Sequence, residues 1–207
     1  MSESVTETRR QDRGKQRMES LLRAAEEVFA DVGYDRATTN LIAARAKVSP
    51  GSLYQFYPNK AAFAETLAAQ YAVVLEELHA KVFTAKLAAA PLADLVDATV
   101  DPFLEFHRKA PAFEALFLAA AVSPELAGRV RILHDTVANR LVGLFALRTP
   151  KSSREDLHWA AEVSLGVFRG MLPVIAPLNG AKRSRAIREL KTALRRYLEP
   201  VLGEGSR

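Results

Sequence analysis

The chain has 207 residues, of which 29 are Lys or Arg and 24 are Asp or Glu, for a net charge of +5. That length accommodates one ordinary domain and a smaller one, and so mild a charge permits nucleic-acid binding without demanding it. There is no cysteine, which excludes disulfides, thiolate nucleophiles and thiolate metal sites together.

The charge is unevenly spread. Residues 1–60 carry ten basic and eight acidic side chains, residues 61–180 eleven and thirteen, and residues 181–207 eight and three. Arg9, Arg10, Arg13, Lys15 and Arg17 are offset only by Asp12, so residues 1–15 read as a flexible basic arm. The opening residues have no apolar core of the kind a secretory signal needs. No stretch approaches the roughly 20 apolar residues of a membrane span. The expected setting is the cytoplasm, at the nucleoid, with no membrane partner.

The periodicity is helical throughout and strand-like alternation is absent, which predicts an all-α fold of about nine helices. Leu21, Leu22, Ala25, Val28, Phe29 and Val32 form one apolar stripe, and Gly33 follows as a left-handed cap. A short helix opens at Thr38 and runs to Ala46. Another begins at Ser49-Pro50, with Ser as N-cap and Pro at the first helical position. Asn59 caps a long helix with the stripe Phe63, Leu67, Tyr71, Val74, Leu78 and Val82, expected to reach about Ala90. Helices over about 92–107 and 111–121 follow Pro91 and Pro111, with a kink at Pro102. Ser123-Pro124 repeats the cap-plus-proline signal. Ser152 with Glu155 fits a capping box for a helix that Pro173 and Pro177 end, and a last helix covers about 182–201 and ends at Pro200. The domains expected are the arm at 1–15, a three-helix domain at 16–60 and a helical domain at 61–207.

The segment Thr38–Tyr57 carries the function. Two short helices joined by a few residues can share a small core of Ile42, Ala43, Ala46, Val48 and Leu53. That is helix-turn-helix geometry, in which the second helix enters the major groove of DNA. Ser49, Pro50, Gly51 and Ser52 leave the helix tip unencumbered, so backbone can approach a base edge or a phosphate. Tyr54, Gln55, Tyr57 and Lys60 add two phenols, an amide and an ammonium. Gln suits adenine bidentately, and Tyr and Lys suit phosphate oxygens.

The run TTNLIAARAKVSPGSLYQFYPNKAAF, with LLRAAEEVFADVGYDRAT before it, resembles the DNA-binding segment of tetracycline-repressor-like (TetR family) regulators over about residues 16–72. The resemblance implies phosphate contacts from Thr38 and Thr39 and a base contact from Asn40. It places Pro50, Gly51, Ser52 and Gln55 in the groove and makes Tyr54 and Lys60 phosphate anchors. Lys47 departs from the turn glycine common in the family, Leu41 from a usually polar residue, and Phe56 from Tyr or His. The function implied is a sequence-specific regulator of transcription, a ligand-responsive repressor rather than an enzyme, working as a homodimer on double-stranded operator DNA.

One helix-turn-helix reads too few base pairs, so two must sit about 34–36 Å apart. The helix 153–175 is apolar almost all round, with Gly166 and Gly170 four apart, and the helix 182–201 pairs an apolar stripe with seven basic residues. The resemblance implies that these two helices form the dimer interface. It also implies a small-molecule inducer between the helices from about 91 to 175. The candidate lining is Phe103, Phe106, His107, Phe113, Phe117, His134, Trp159, Phe168 and Met171, with the two histidines as polar tips on an apolar wall. No cofactor or metal is expected.

Two other readings compete. Glu76-x-x-His79 and Glu155-x-x-His158 match the motif of a ferritin-like di-iron bundle, although capping already explains Glu155. A DNA-bending protein without a sensor would bind random duplex nearly as well as any promoter.

Overall fold

The structure, a computed structural model, describes residues 2–119 and 124–203, with side chains except at 2–13, 118–119, 124–127 and 129–130. These residues form ten helices and, among the described residues, no strand. They are α1 Ser2–Arg36, α2 Thr39–Arg45, α3 Pro50–Tyr54, α4 Lys60–Val82 and α5 Ala85–Ala88, then α6 Leu92–Lys109, α7 Pro111–Ala119, α8 Pro124–Arg148, α9 Arg154–Ile175 and α10 Gly180–Leu202.

Local chemistry sets most of the boundaries. Thr38 caps α2 by accepting from Leu41 N at 3.2 Å, and Ser49 caps α3 by accepting from Ser52 N at 3.2 Å. Asn59 Oδ1 accepts from Ala62 N at 2.9 Å in the first turn of α4. Each such cap contributes about 1 kcal/mol. Gly33, at φ 77° and ψ 164°, breaks α1 ahead of its last turn. That positive φ is a conformation only glycine adopts freely.

Five expectations need correction. Residues 2–15 are helical, not an irregular arm: α1 starts at Ser2, in a stretch with no proline and many straight-chain helix formers. The side chains of Arg9, Arg10 and Arg13 lie outside the described residues, as does Ser123. The long helix stops at Val82 rather than near Ala90, because Thr84 caps a separate turn, α5, by accepting from Leu87 N. The capping box is one residue later than expected: Ser153, not Ser152, accepts from Asp156 N at 3.0 Å. Pro173 lies inside α9 and Pro200 inside α10, so neither ends its helix. The buried side of α4 past Tyr71 runs through Leu75 and His79, while Val74 is 49% exposed.

The chain divides into two compact units. One comprises Met1–Val73 with Ala110–Val130, the other Val74–Lys109 with Arg131–Arg207. In the first, Leu21, Ala25 and Phe29 of α1, Ile42 of α2, Leu53 of α3 and Phe63 of α4 are fully buried. Arg45 Nη1 and Nη2 bind Glu27 and Asp31 of α1 at 3.0 and 2.7 Å, tying α2 to α1. Tyr71 Oη donates to Glu26 at 2.6 Å, and burial, followed by that carboxylate, pushes the phenol above its ordinary range.

The second unit buries Leu95, Val100 and Leu104 of α6, Phe145 of α8, Leu157 and Ala161 of α9, and Leu190 and Leu194 of α10. Arg148 ties three segments together by donating to Ala88 O at 3.0 Å, Ala90 O at 2.5 Å and Leu202 O at 2.6 Å. Lys191 of α10, 13% exposed, lies 3.3 Å from Asp97 and 2.7 Å from Asp101 of α6. At least one of the seven basic residues of the last helix is therefore structural.

Candidate nucleic-acid interface and apolar cavity

The two helices of the Thr38–Tyr57 segment meet as the sequence leads one to expect. Leu53 of α3 and Ile42 of α2 are 0% exposed and anchor the pair. Thr39 Oγ1 and Tyr54 Oη, 2.9 Å apart, clasp the two helices at the surface. Lys47 in the turn has φ 56°, so a residue with a Cβ occupies the left-handed conformation, at a cost of about 1 kcal/mol.

With Leu53 inward, Ser49, Pro50, Gly51, Tyr54 and Gln55 are exposed. A Cβ on Gly51 would meet nothing within 4 Å, so a partner can come as close as the backbone allows. Thr38, Asn40 and the aliphatic Leu41 are exposed on α2, with Thr39 and Ser52 half-buried. The surface offers hydroxyls, the two amides of Asn40 and Gln55 and free backbone, with Lys47 as its one exposed cation among the described residues of Thr38–Tyr57 outside the paired Arg45. Such a tip fits the groove edge of a duplex, and its neutral donors fit phosphate oxygens.

Two predicted contacts are placed otherwise. Tyr57 is 5% exposed and its ring stacks on Phe63, with centroids 3.9 Å apart at 23°. Its phenol is pushed up by burial and bonded to Thr66, so it is a core side chain. Lys60 Nζ donates to Tyr34 O at 3.0 Å and Asp35 O at 3.1 Å, and it lies 4.6 Å from the Tyr34 ring centroid. The ammonium thereby satisfies carbonyls at the end of α1, where a cation is favoured, and is not free to grip a phosphate.

The second unit contains a partly open cavity of about 90 Å³. Phe83, Val96, Phe103, Leu141 and Phe168 are among its walls, and Thr99 and Ser164 are the only polar residues lining it among the described residues. Of the nine residues expected to line a pocket, Phe103 and Phe168 do so. Phe106 is buried at 6%, and Met171 packs half-buried against the core. The His107 ring stands 5.8 Å from that of Phe168, and its pKa is lowered to about 4, first by burial and then by Arg169. Phe113 belongs to the first unit and meets Tyr71 edge-on at 5.7 Å, with Phe117 6.2 Å beyond. His134 Nε2 lies 3.3 Å from Glu162. Trp159 is 61% exposed and lines nothing.

The sequence offers His79 only as one half of the Glu76-x-x-His79 motif, and not as a neighbour of the cavity. This side chain of α4 is 1% exposed, and neither ring nitrogen has a hydrogen-bond partner among the described residues. The rings of Phe103 and Phe83 stand 5.4 and 5.6 Å from it. Its pKa is lowered to about 4 by burial and then by Arg140, with Glu76 opposing. Glu76 itself pairs with Arg140, and no group of three or more His, Asp or Glu among the described residues could hold a metal. No helix among them is long and apolar enough to cross a membrane.

A family model described as bacterial regulatory proteins, tetR family, matches residues 21–67. A second, for the tetracyclin repressor-like C-terminal domain, matches residues 91–198. No sequence among the curated proteins matches the chain. Among solved structures, a TetR-family transcriptional regulator from Streptomyces coelicolor is 26% identical, with TM-score 0.57 over 90% of this chain and 99% of that one. A TetR-like transcriptional regulator from Rhodococcus sp. RHA1 is 20% identical, with TM-score 0.63 over 91% and 94%. The SmeT–triclosan complex is also 20% identical, with TM-score 0.67 over 93% and 94%. The helix-turn-helix at the front of the chain and the helical domain behind it both match, and the chain belongs to the TetR family of DNA-binding transcriptional regulators, which are not enzymes.

Proposed function

We propose that the chain is a ligand-responsive repressor that binds double-stranded operator DNA as a homodimer. The observation that carries this reading is the outer face of α9. Trp159, Val163 and Val174 are 61%, 37% and 50% exposed, and with Gly166 and Gly170 they follow one another at helical spacing. A Cβ on either glycine would meet nothing within 4 Å, so the stripe is open. An exposed apolar stripe with a backbone-level gap suits a second helix, and in a twofold pair the same stripe of another copy supplies it. Helix α10 would complete the interface.

Within that dimer, Thr38, Thr39, Tyr54 and the hydroxyls of Ser49 and Ser52 position the protein on phosphates. Asn40 and Gln55, beside Pro50 and Gly51, choose the bases. The cavity supports a sensor role: SmeT, a relative by fold, forms a complex with triclosan, and an apolar cavity inside the helical domain offers a comparable place here. A ligand that favours a dimer with wrongly spaced α3 helices lowers DNA affinity by the same coupling factor. Repression then follows from occupying a promoter.

One experiment tests the whole reading. Genomic fragments retained by the immobilised protein are sequenced, and the expected product is an inverted repeat with half-sites one helical turn apart. Retention of random duplex, or of single unpaired half-sites, would overturn it.

A further inference from the structure

The cavity of the second unit has a chemistry narrower than its shape. Both of its polar lining groups spend their one donor on their own helices and keep only acceptor capacity. Ser164 Oγ donates to Ala160 O at 2.7 Å, and Thr99 Oγ1 donates to the carbonyl of Leu95. No charged side chain lines it among the described residues. A carboxylate or ammonium brought inside would lose its water and find no counter-charge.

Two of the walls adjoin a group with the opposite problem. His79 is 1% exposed, and both its nitrogens lack a hydrogen-bond partner among the described residues. Phe83 and Phe103 adjoin both: each lines the cavity, is half-buried, and has its ring within 5.6 Å of the imidazole, centre to centre. Buried polar groups are nearly always satisfied, so an orphaned imidazole calls for an explanation.

Size links the two observations. The space of about 90 Å³ is smaller than the roughly 150 Å³ that holds benzene in an engineered protein core. A ring-sized guest that gains room by turning Phe83 or Phe103 aside opens a path to the adjoining His79 in the same movement. The imidazole then offers one N–H donor and one bare nitrogen acceptor. A hydroxyl, which can donate or accept, can pair with either nitrogen, whichever the displaced ring uncovers.

We propose that the ligand of this cavity is a neutral, largely apolar, ring-sized molecule bearing one hydroxyl, and that His79 recognises the hydroxyl. The inference rests on the sensor reading above. The imidazole is held neutral by the burial that brings its pKa to about 4, so it serves a neutral hydroxyl better than an anion.

The test is calorimetric titration of the full chain with phenol, benzene and benzoate, on the wild type, His79→Phe and His79→Gln. Wild type should bind phenol roughly ten- to a hundredfold more tightly than benzene, the range expected when a buried polar group gains its partner. Benzoate should bind more weakly than either. His79→Phe should bind phenol and benzene alike, and His79→Gln, which keeps a donor and an acceptor, should recover part of the preference. On the wild type alone, the ring nitrogens of His79 should shift in a proton–nitrogen correlation spectrum on adding phenol and stay put with benzene.

Equal binding of phenol and benzene, a preference that survives in His79→Phe, or tighter binding of benzoate would each overturn the assignment. Absence of binding by all three would overturn it together with the cavity as a ligand site. Operator release, read separately by gel shift, distinguishes the two layers. Phenol that binds through His79 without releasing DNA sustains the ligand class and overturns the sensor reading.

Discussion

His79 should make the stability of the protein sensitive to acid by an amount the structure sets. Unfolded, its imidazole takes up a proton near its ordinary pKa of 6.5; folded, it does so only near 4. Between those values the unfolded state holds more protons, so stability falls as the pH drops from about 6.5 towards 4 and levels off below. The whole difference corresponds to about 3 kcal/mol, of which about 2 kcal/mol is lost between pH 7 and pH 5. His107, also held down to about 4, acts in the same direction, so the wild-type slope does not isolate His79. His79→Phe does, because it removes one titrating group and fills an apolar site with an apolar ring. Urea midpoints measured at both pH values should show the variant's advantage widening by about 2 kcal/mol on acidification. Parallel pH dependences in the two proteins would refute the argument.

Lys47→Asn should stabilise the protein by about 1 kcal/mol, since Asn tolerates the left-handed backbone that Lys47 holds at φ 56°; a lower melting temperature would count against strain there. Lys60→Ala should cost about 1–2 kcal/mol of stability through its two lost carbonyl contacts while leaving the dependence of DNA affinity on salt unchanged. A slope flatter by about one would return Lys60 to the phosphates. Gln55→Ala should relax preference at one base pair per half-site, by about 1–3 kcal/mol at an adenine, and an unaltered selection profile would dismiss the contact. Gly166→Leu should leave the monomer folded, because its Cβ meets open space, yet abolish the dimer in sedimentation.

The parts of the fold readable in the sequence are those governed by neighbours a few residues apart. Thr38, Ser49 and Asn59 announce their helices because a cap is a contact with the residue three ahead. Lys60 could not be read this way: its partners are 25 and 26 residues earlier, and an ammonium before a long helix looks like a phosphate anchor in isolation. Tyr57 is indistinguishable from Tyr54 by composition, yet helix packing turns one ring onto Phe63 and the other to solvent. On α4 the apolar residues Val74 and Leu78 drew the predicted stripe. The buried side instead steps by four, through Phe63, Leu67, Tyr71, Leu75 and His79, and the sequence offers that histidine only as one half of a Glu-x-x-His motif. For α9 the sequence showed that a helix apolar all round has to be covered, but not by what, and Trp159 stands outside its own chain's core.

The open gap at Gly166 and Gly170 has a consequence for the company this protein keeps. In the α9 dimer proposed above, the stripe also decides which other helices are rejected. A stripe with bulk at Trp159 and two backbone-level hollows one turn apart is a shape that a mismatched helix meets badly. A relative with larger side chains facing the hollows collides, and one without a large ring leaves an unfilled void. Self-pairing is favoured where the stripe matches its own twofold image. In that proposed dimer, two missing side chains on α9 would favour pairing of this chain with its own copy over pairing with a differently shaped helix.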